Sequence, residues 1–110
     1  MTQSKRGALN PETILARING GKSETKLHKE QIVYSQGDPA DCIFLVQSGK
    51  VKVTVVSEEG KEAVVAILQP GNFCGEECLT GHKLRMSTLK TLTDCTLIKM
   101  AKASTMRALH

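Results

Sequence analysis

Valine and polar residues alternate over a short stretch near the middle of the chain. From Val51 to Val55 every second residue is valine, and the residues between them are lysine and threonine. Successive side chains of a strand point to opposite faces of a sheet, so this order predicts a strand with the three valines on its buried face. The segment is therefore expected to be half-buried in a β-structure.

A continuous apolar run lies over residues 63–68, and the segment 41–46, which is apolar after Asp41, has the same character. Both runs are too short for a convincing helix and both contain β-branched residues, so they predict strands that are packed on two sides. The segments 84–92 and 96–100 also favour strands.

Glycines punctuate the middle of the chain at regular intervals. They stand at positions 37, 49, 60, 71 and 81, so the intervals are 12, 11, 11 and 10 residues by subtraction. Such spacing is typical of many short strands joined by turns. Residues 57–61 form a polar loop in which Gly60 accepts a positive φ, so we expect an antiparallel hairpin between the strand that ends at Val56 and the strand that begins at Glu62.

The N-terminal part of the chain favours a helix. Asn10 is suited to cap a helix that begins at Pro11, and we expect this helix to run to about Arg17. The sequence Asn-Gly-Gly at 19–21 ends it. Residues 20–26 are polar enough to predict a mobile connection to the next element.

The pattern as a whole predicts one mainly β domain with short flanking helices. A chain of 110 residues is too short to divide into two cores. The many short strands predict a closed or double-sheet arrangement, a jelly roll or double-stranded β-helix, which leaves no long sheet edge exposed. The expected division is an N-terminal helix and connection over 1–26, a β-roll over 27–100, and a segment of helix-favouring residues over 101–110.

Composition narrows the class of function. Hydrophobic residues make up 40% and charged residues 24% of the chain, as in ordinary globular proteins. A membrane span needs about 20 consecutive apolar residues and no run approaches this length, so we expect a cytoplasmic protein without membrane contact. The net charge is +4, but the basic residues are spread along the chain and aromatic residues make up 3%, so this segment is not expected to bind nucleic acid itself.

Four cysteines and three histidines are the candidates for metal or redox chemistry. Cys74 and Cys78 are close in sequence, but zinc takes four ligands and the nearest other candidate is His82. Buried, reduced thiols are the expected state of these two cysteines and of Cys42 and Cys95. A jelly-roll metalloenzyme would need clustered histidines and carboxylates, so no metal site and no catalytic residue is expected.

An ordered set of short segments resembles the cyclic-nucleotide-binding domain of the Crp/Fnr transcription regulators. Each segment alone is weakly informative, whereas the ordered set lies at nearly the family's spacing and covers most of the chain. The segments are VYSQGD at 33–38, IFLVQSGKV at 43–51, LQPGNFCGE at 68–76, and Arg85. The resemblance implies a β-roll that encloses an effector pocket. The iron–sulfur sensing of the Fnr branch is not expected, because residues 1–26 contain no cysteine.

The resemblance also implies where a ligand would bind. In the family a Gly-Glu pair opens a short helical turn, the phosphate-binding cassette, and a downstream arginine faces the cyclic phosphate. Gly75 would let the backbone approach the ligand, Glu76 would accept a hydrogen bond from a ribose hydroxyl, and Arg85 would bind phosphate oxygens together with N–H groups of the turn. The expected ligand-binding residues are Gly75, Glu76, Glu77, Cys78, Arg85 and Ser87.

Two positions depart from the family pattern. Met86 stands where the family has serine or threonine, although Ser87 would share a strand face with Arg85 and could supply the hydroxyl. Glu77 stands where the family has an apolar residue. Its carboxylate would either repel a phosphate or lie in the first turn of the cassette, where the helix dipole stabilises it. A structural alternative for the whole motif is a glycine turn followed by an ion pair with Arg85 that closes the roll.

These observations predict the effector-sensing domain of a Crp/Fnr-type regulator rather than an enzyme. It would bind cyclic AMP, cyclic GMP or a similar small anion, need no other cofactor, and move the hinge after Met100 of a two-state dimer. The family implies that residues 101–110 begin the helix through which the full-length protein forms a homodimer. It also implies that DNA is contacted only by a helix-turn-helix domain that is absent here. The alternative is a structural or interaction module of the same fold that no longer binds cyclic nucleotides.

Overall fold

Two antiparallel sheets of four strands each form the body of the protein. The computed structural model of the chain describes residues 11–18 and 20–109. The elements are α1 (Pro11–Arg17), β1 (Lys22–Leu27), β2 (Ile32–Tyr34), β3 (Cys42–Ser48), β4 (Val51–Val56), β5 (Glu62–Leu68), β6 (Phe73–Cys74), a 3-10 helix (Glu76–Thr80), β7 (Thr88–Thr91), β8 (Cys95–Ala101) and α2 (Lys102–Leu109). The strand orders are β1-β8-β3-β6 and β2-β7-β4-β5. The predicted mainly β jelly roll with short flanking helices is confirmed.

Strand β3 lies between two apolar clusters because its side chains alternate between faces. One cluster lies between the sheets and comprises Tyr34, Cys42, Phe44, Val46, Val51, Cys74, Leu89, Cys95 and Leu97. The other includes residues of both helices and comprises Ile14, Ile18, Ala40, Ile43, Leu45, Cys78, Met100 and Ala108. The prediction of a strand packed on two sides is therefore confirmed for β3.

Strands β4 and β5 form the predicted hairpin. Val56 lies opposite Glu62, and Gly60 in the connecting loop has a φ of 85°. The register shifts between Val53 and Thr54. Beyond this irregularity Thr54 is buried at 2% exposure, so the prediction of a single valine face is wrong for the second half of β4.

Strand β5 is an exposed edge strand and is not packed on two sides. Among the strands that the structure describes, it pairs only with β4, at the end of its sheet. Val64, Val65 and Ile67 are 56%, 59% and 52% exposed. The prediction of a strand over 63–68 is correct, but the prediction of burial on two sides is wrong, because no other element among the described residues covers this strand.

The polar segment that precedes Leu27 is a strand rather than a mobile connection. Strand β1 pairs with β8 along its whole length, from Lys22 opposite Met100 to Leu27 opposite Cys95. Backbone hydrogen bonds hold this strand in the sheet although most of its side chains are exposed. The predicted connection is therefore wrong over residues 22–26.

The segment that leads into β7 is extended only in part. Leu84 forms an isolated bridge with Pro39, and the strand itself begins at Thr88. Between them, the N–H of Arg85 donates to the carbonyl of Asp38 at 2.7 Å, and the N–H of Gly37 donates to the carbonyl of Arg85 at 2.8 Å. These contacts fix the backbone at Arg85, and the prediction of a continuous strand from residue 84 is wrong.

The helices at the two ends agree with the sequence prediction. α1 spans Pro11–Arg17, and its predicted cap Asn10 lies outside the described residues. α2 begins directly after β8 and packs against α1, β3, β8 and the 3-10 helix. Neither of these helices has the length and apolar composition that a bilayer crossing requires.

Candidate ligand-binding site

A left-handed glycine precedes the 3-10 helix. Gly75 has φ 77° and ψ 20° and directly precedes the 3-10 helix Glu76–Thr80. Residues with a Cβ rarely adopt this φ. A Cβ at this position would also lie 2.6 Å from Nη1 of Arg85. Glycine thus allows both the turn of the chain and the close approach of a guanidinium to the backbone.

The 3-10 helix borders a cavity of about 440 Å³. This volume lies within the range of about 300–1,000 Å³ that is usual for small-molecule sites. The cavity is lined by Tyr34, Val53, Ala66, Leu68, Phe73, Cys74, Gly75, Glu76, Glu77, Thr80 and Ser87. Four of the six expected ligand residues, Gly75, Glu76, Glu77 and Ser87, thus meet at one cavity. Cys78 and Arg85 are not among its lining residues.

Arg85 is buried beneath the cavity lining and is held by groups of the protein itself. The residue is 3% exposed. Nη1 donates to the carbonyl of Gly75 at 3.0 Å, and Nη2 donates to the carbonyl and the Sγ of Cys42 at 2.7 and 3.4 Å. These hydrogen bonds replace the hydrogen bonds to water that the guanidinium loses when it is buried. In this conformation Arg85 cross-links the turn at Gly75 to β3.

Glu77 is the acidic partner of Arg85. Its Oε2 lies 3.6 Å from Nη1 of Arg85, and its side chain is 20% exposed. This separation is an ionic contact but is too long for a hydrogen bond. Oε2 of Glu77 and Nε of Arg85 are both buried, and neither has a hydrogen-bond partner within the described part of the chain. An ion pair therefore does accompany the glycine turn, and it is formed by Glu77.

Tyr34 is a residue of the site that the sequence analysis did not single out. It lies at the end of β2, lines the cavity, and places its ring 4.1 Å from the guanidinium carbon of Arg85. Burial raises the pKa of its hydroxyl well above the ordinary value, and the negative charge of Glu77 raises it further. Its position in the segment VYSQGD, as the only tyrosine of the chain, is the one sequence signal that could have identified it.

The cysteines near the site are buried thiols. Cys74 belongs to the apolar cluster between the sheets, whereas Cys78 belongs to the cluster against the helices. Burial raises the pKa of Cys74 to about 12 and also raises the pKa of Cys42 and Cys78. Among residues 11–18 and 20–109 there is no group of three or more His, Cys, Asp or Glu side chains that could hold a metal ion.

Comparison with known proteins agrees with the fold. A family model described as cyclic nucleotide-binding domain matches residues 24–110. The N-terminal domain of a transcriptional regulator from Streptomyces coelicolor is 29% identical with a TM-score of 0.77, over 94% of this chain and 74% of that chain. An EAL enzyme in its cAMP-bound form is 27% identical with a TM-score of 0.71, over 77% of this chain and 23% of that chain.

A curated relative points to the same family. The CRP-like cAMP-activated global transcriptional regulator of Mycobacterium tuberculosis is 29% identical over 68 residues, which is 62% of this chain and 30% of the relative. The chain spans no more than 30% of the length of any of eight such relatives, and only 7% of a fungal lysophospholipase. The same kind of domain thus occurs within longer proteins of different activities.

Proposed function

The chain belongs to the cyclic nucleotide-binding domain family, and we propose that it is the effector-sensing domain of a Crp/Fnr-type transcription regulator. Its effector is cyclic AMP, cyclic GMP or a similar small anion, bound in the cavity beside Gly75. The observation that carries the proposal is that Gly75, Glu76, Glu77 and Ser87 all line this one cavity.

The two sides of the cavity suit the two parts of a nucleotide. The exposed carboxylate of Glu76 is available to accept a hydrogen bond from a sugar hydroxyl, and Ser87 offers a hydroxyl donor to a phosphate. Val53, Ala66 and Leu68 form an apolar wall that a flat base would cover. The cavity therefore combines polar groups at the 3-10 helix with apolar contacts from the β4–β5 hairpin.

The relatives support cyclic nucleotides as the first ligands to test. The Mycobacterium tuberculosis regulator is named as cAMP-activated, and the EAL enzyme contains bound cAMP. The Streptomyces coelicolor domain supports the role in transcription, because it is the N-terminal domain of a regulator. On this basis the domain has no catalytic residue of its own and works by changing conformation when its effector binds.

A conformational change caused by effector binding would be transmitted from the roll through α2. This helix follows β8 without a break and contacts the 3-10 helix. Ordering of the 3-10 helix by a ligand would therefore repack α2 and bias a two-state homodimer. DNA binding in the whole regulator would belong to a separate domain, and the protein would act in the cytoplasm.

One observation favours a second candidate function. The guanidinium of Arg85 is engaged by two carbonyls, a tyrosine ring and Glu77, so in this conformation it serves to stabilise the roll. A module that keeps the fold but binds no cyclic nucleotide would show this arrangement. It would act as a structural or interaction domain.

Calorimetric titration of the chain with cAMP and with cGMP separates the two candidates. We expect heat of binding for at least one nucleotide. The variants Glu76→Gln and Ser87→Ala should each weaken binding by about 2- to 10-fold, the value of one hydrogen bond. Both substitutions change a residue at the cavity and remove no core packing, so loss of folding is not the expected cause.

Glu58→Gln is the matched control, because it makes the same charge change in the exposed loop between β4 and β5. Its affinity should equal that of the unchanged chain. If the unchanged chain binds neither nucleotide, the proposal of a cyclic-nucleotide sensor is wrong and the structural or interaction module is supported. If it binds but all three variants bind equally, the ligand lies elsewhere.

A further inference from the structure

We propose that Glu77 is the specificity-determining residue of the cavity and serves as an internal counter-anion that an incoming phosphate must displace from Arg85. The inference rests on the proposed function, since it concerns how the same cavity selects its effector. In this arrangement Glu77 lowers the affinity for cyclic phosphates and restricts the site to ligands that replace its contact with a better one.

The first support is the geometry of the pair. Oε2 of Glu77 lies 3.6 Å from Nη1 of Arg85, so the two charges attract without forming a hydrogen bond. Nε of Arg85 points to no acceptor within the described residues, and Oε2 receives no donor from them. Buried polar atoms without partners are rare in folded proteins. Here each residue of one ion pair carries such an atom, which indicates a position that a better hydrogen-bonding group could occupy.

The second support is the position of Glu77 at the boundary between the cavity and the buried cation. Glu77 lines the cavity, whereas Arg85 is 3% exposed and does not. A phosphate that approaches Arg85 from the cavity therefore meets the carboxylate first. The described lining contains two carboxylates, Glu76 and Glu77, and no lysine or arginine, so its charge opposes an anion until Glu77 moves away.

The third support is that Arg85 does not have to move. Its Nη1 and Nη2 groups are held by the carbonyls of Gly75 and Cys42, and its guanidinium lies against Tyr34. Within the described part of the chain, the side chain of Glu77 has this one ionic contact, and it is partly exposed. Exchange of the carboxylate for a phosphate oxygen thus requires only a side-chain movement of Glu77, and a phosphate has further oxygens that could reach Nε.

The test compares cAMP affinity among the unchanged chain, Glu77→Gln, Glu77→Leu and Glu58→Gln. Gln keeps the size of the side chain and removes its charge, and Leu also removes the polar group. We expect both Glu77 variants to bind cAMP at least about tenfold more tightly, the size of one charge interaction across a partly hydrated cavity. Glu58→Gln changes the net charge equally and should leave the affinity unchanged.

A gain in affinity confined to the Glu77 variants, relative to an unchanged chain that itself binds, supports the inference. Binding by the Glu77 variants alone would overturn the proposed function of the unchanged chain and the inference that rests on it. A merely structural ion pair predicts the opposite, because its loss would weaken the site. If all four proteins bind cAMP with equal affinity, or if Glu58→Gln gains as much, the inference is wrong and the proposed function stands. If folded samples of all four bind neither cAMP nor cGMP, the proposed function and the inference both fail.

Discussion

The guanidinium carbon of Arg85 lies over the ring of Tyr34, 4.1 Å from the ring centroid. Tyr34 ends β2, and Arg85 lies in the segment before β7, the strand that pairs with β2, so the contact joins β2 to that segment. A cation over an aromatic face is attracted by the ring quadrupole, most strongly when both are removed from water. Tyr34 is 8% exposed and Arg85 3%, so this condition is met.

Replacement of Tyr34 should therefore separate the role of the ring from that of the hydroxyl. We expect Tyr34→Ala to lower the free energy of unfolding by about 3–5 kcal/mol, as for other buried aromatic residues. Tyr34→Phe keeps the ring over Arg85 and should lose no more than about 1.5 kcal/mol. Urea unfolding followed by circular dichroism measures both. Equal losses in the two variants would show that the ring contact contributes little.

Gly75→Ala should be more damaging than the same change at another left-handed glycine. Both Gly75 and Gly71 have positive φ, at 77° and 97°. A Cβ at Gly71 would meet nothing within 4 Å, whereas a Cβ at Gly75 would lie 2.6 Å from Nη1 of Arg85. We expect about 1 kcal/mol of destabilisation at Gly71 from backbone strain alone, and about 2–4 kcal/mol at Gly75. Similar values in thermal unfolding would contradict the close approach.

Thr91 is a buried residue whose hydroxyl binds the loop between β1 and β2. Its Oγ1 donates to the carbonyl of His28 at 2.5 Å and accepts from the N–H of Gln31 at 2.8 Å. Thr91→Val keeps the shape and leaves both backbone groups without this partner, so we expect a loss of about 1–3 kcal/mol in chemical denaturation. Thr96→Val on β8 is the control and should change stability by no more than about 0.5 kcal/mol. A neutral Thr91→Val would show that water satisfies the loop.

Stability should fall at alkaline pH because the fold holds the proton of Cys74 more tightly than the unfolded chain does. Burial raises the pKa of this thiol from its ordinary value near 9 to about 12. The contribution is therefore fully present below about pH 9 and is lost as the pH rises toward 12. At pH 10.5 the loss from Cys74 alone amounts to up to about 2 kcal/mol.

Urea unfolding at pH 7.5 and pH 10.5 tests this expectation. Cys74→Ala removes the titrating group and should show a smaller fall between the two pH values than the unchanged chain. Tyr34 contributes in the same direction above its ordinary value near 10, because burial raises its pKa as well. An equal pH dependence in Cys74→Ala and the unchanged chain would contradict a raised pKa for this thiol.

The parts of the fold that could be predicted are those set by local pattern. The hairpin follows from a polar loop with Gly60 between two apolar strands, and β3 follows from a short apolar run. The exposure of β5 could not be predicted, because an apolar run does not indicate whether another element covers it. Strand β1 was missed because its polar residues are held by backbone bonds to β8, a partner more than 60 positions away in sequence.

The residues of the candidate site also differ in whether local sequence could predict their positions. Gly75, Glu76 and Glu77 are neighbours in sequence, so one motif identifies them together. The inward direction of Arg85 depends on backbone contacts with Asp38 and Gly37, which lie far away in the chain. The contact between Glu77 and Arg85 follows from that direction. The alternation of side chains along a strand does not by itself predict that the charges of Glu77 and Arg85 are in contact.

The pairing of β1 with β8 has a consequence for how the roll is made. Lys22 and Met100 are opposite each other in the sheet although they stand at positions 22 and 100. During synthesis on the ribosome, β1 therefore remains unpaired until nearly all of the domain has been synthesised. The conformational entropy cost of closing so long a loop must be met before the contacts between β1 and β8 stabilise the fold. The last step of folding should therefore be slow and dominated by non-local contacts. Until that step is complete, the nascent chain exposes an unpaired strand that chaperones or other nascent chains could bind.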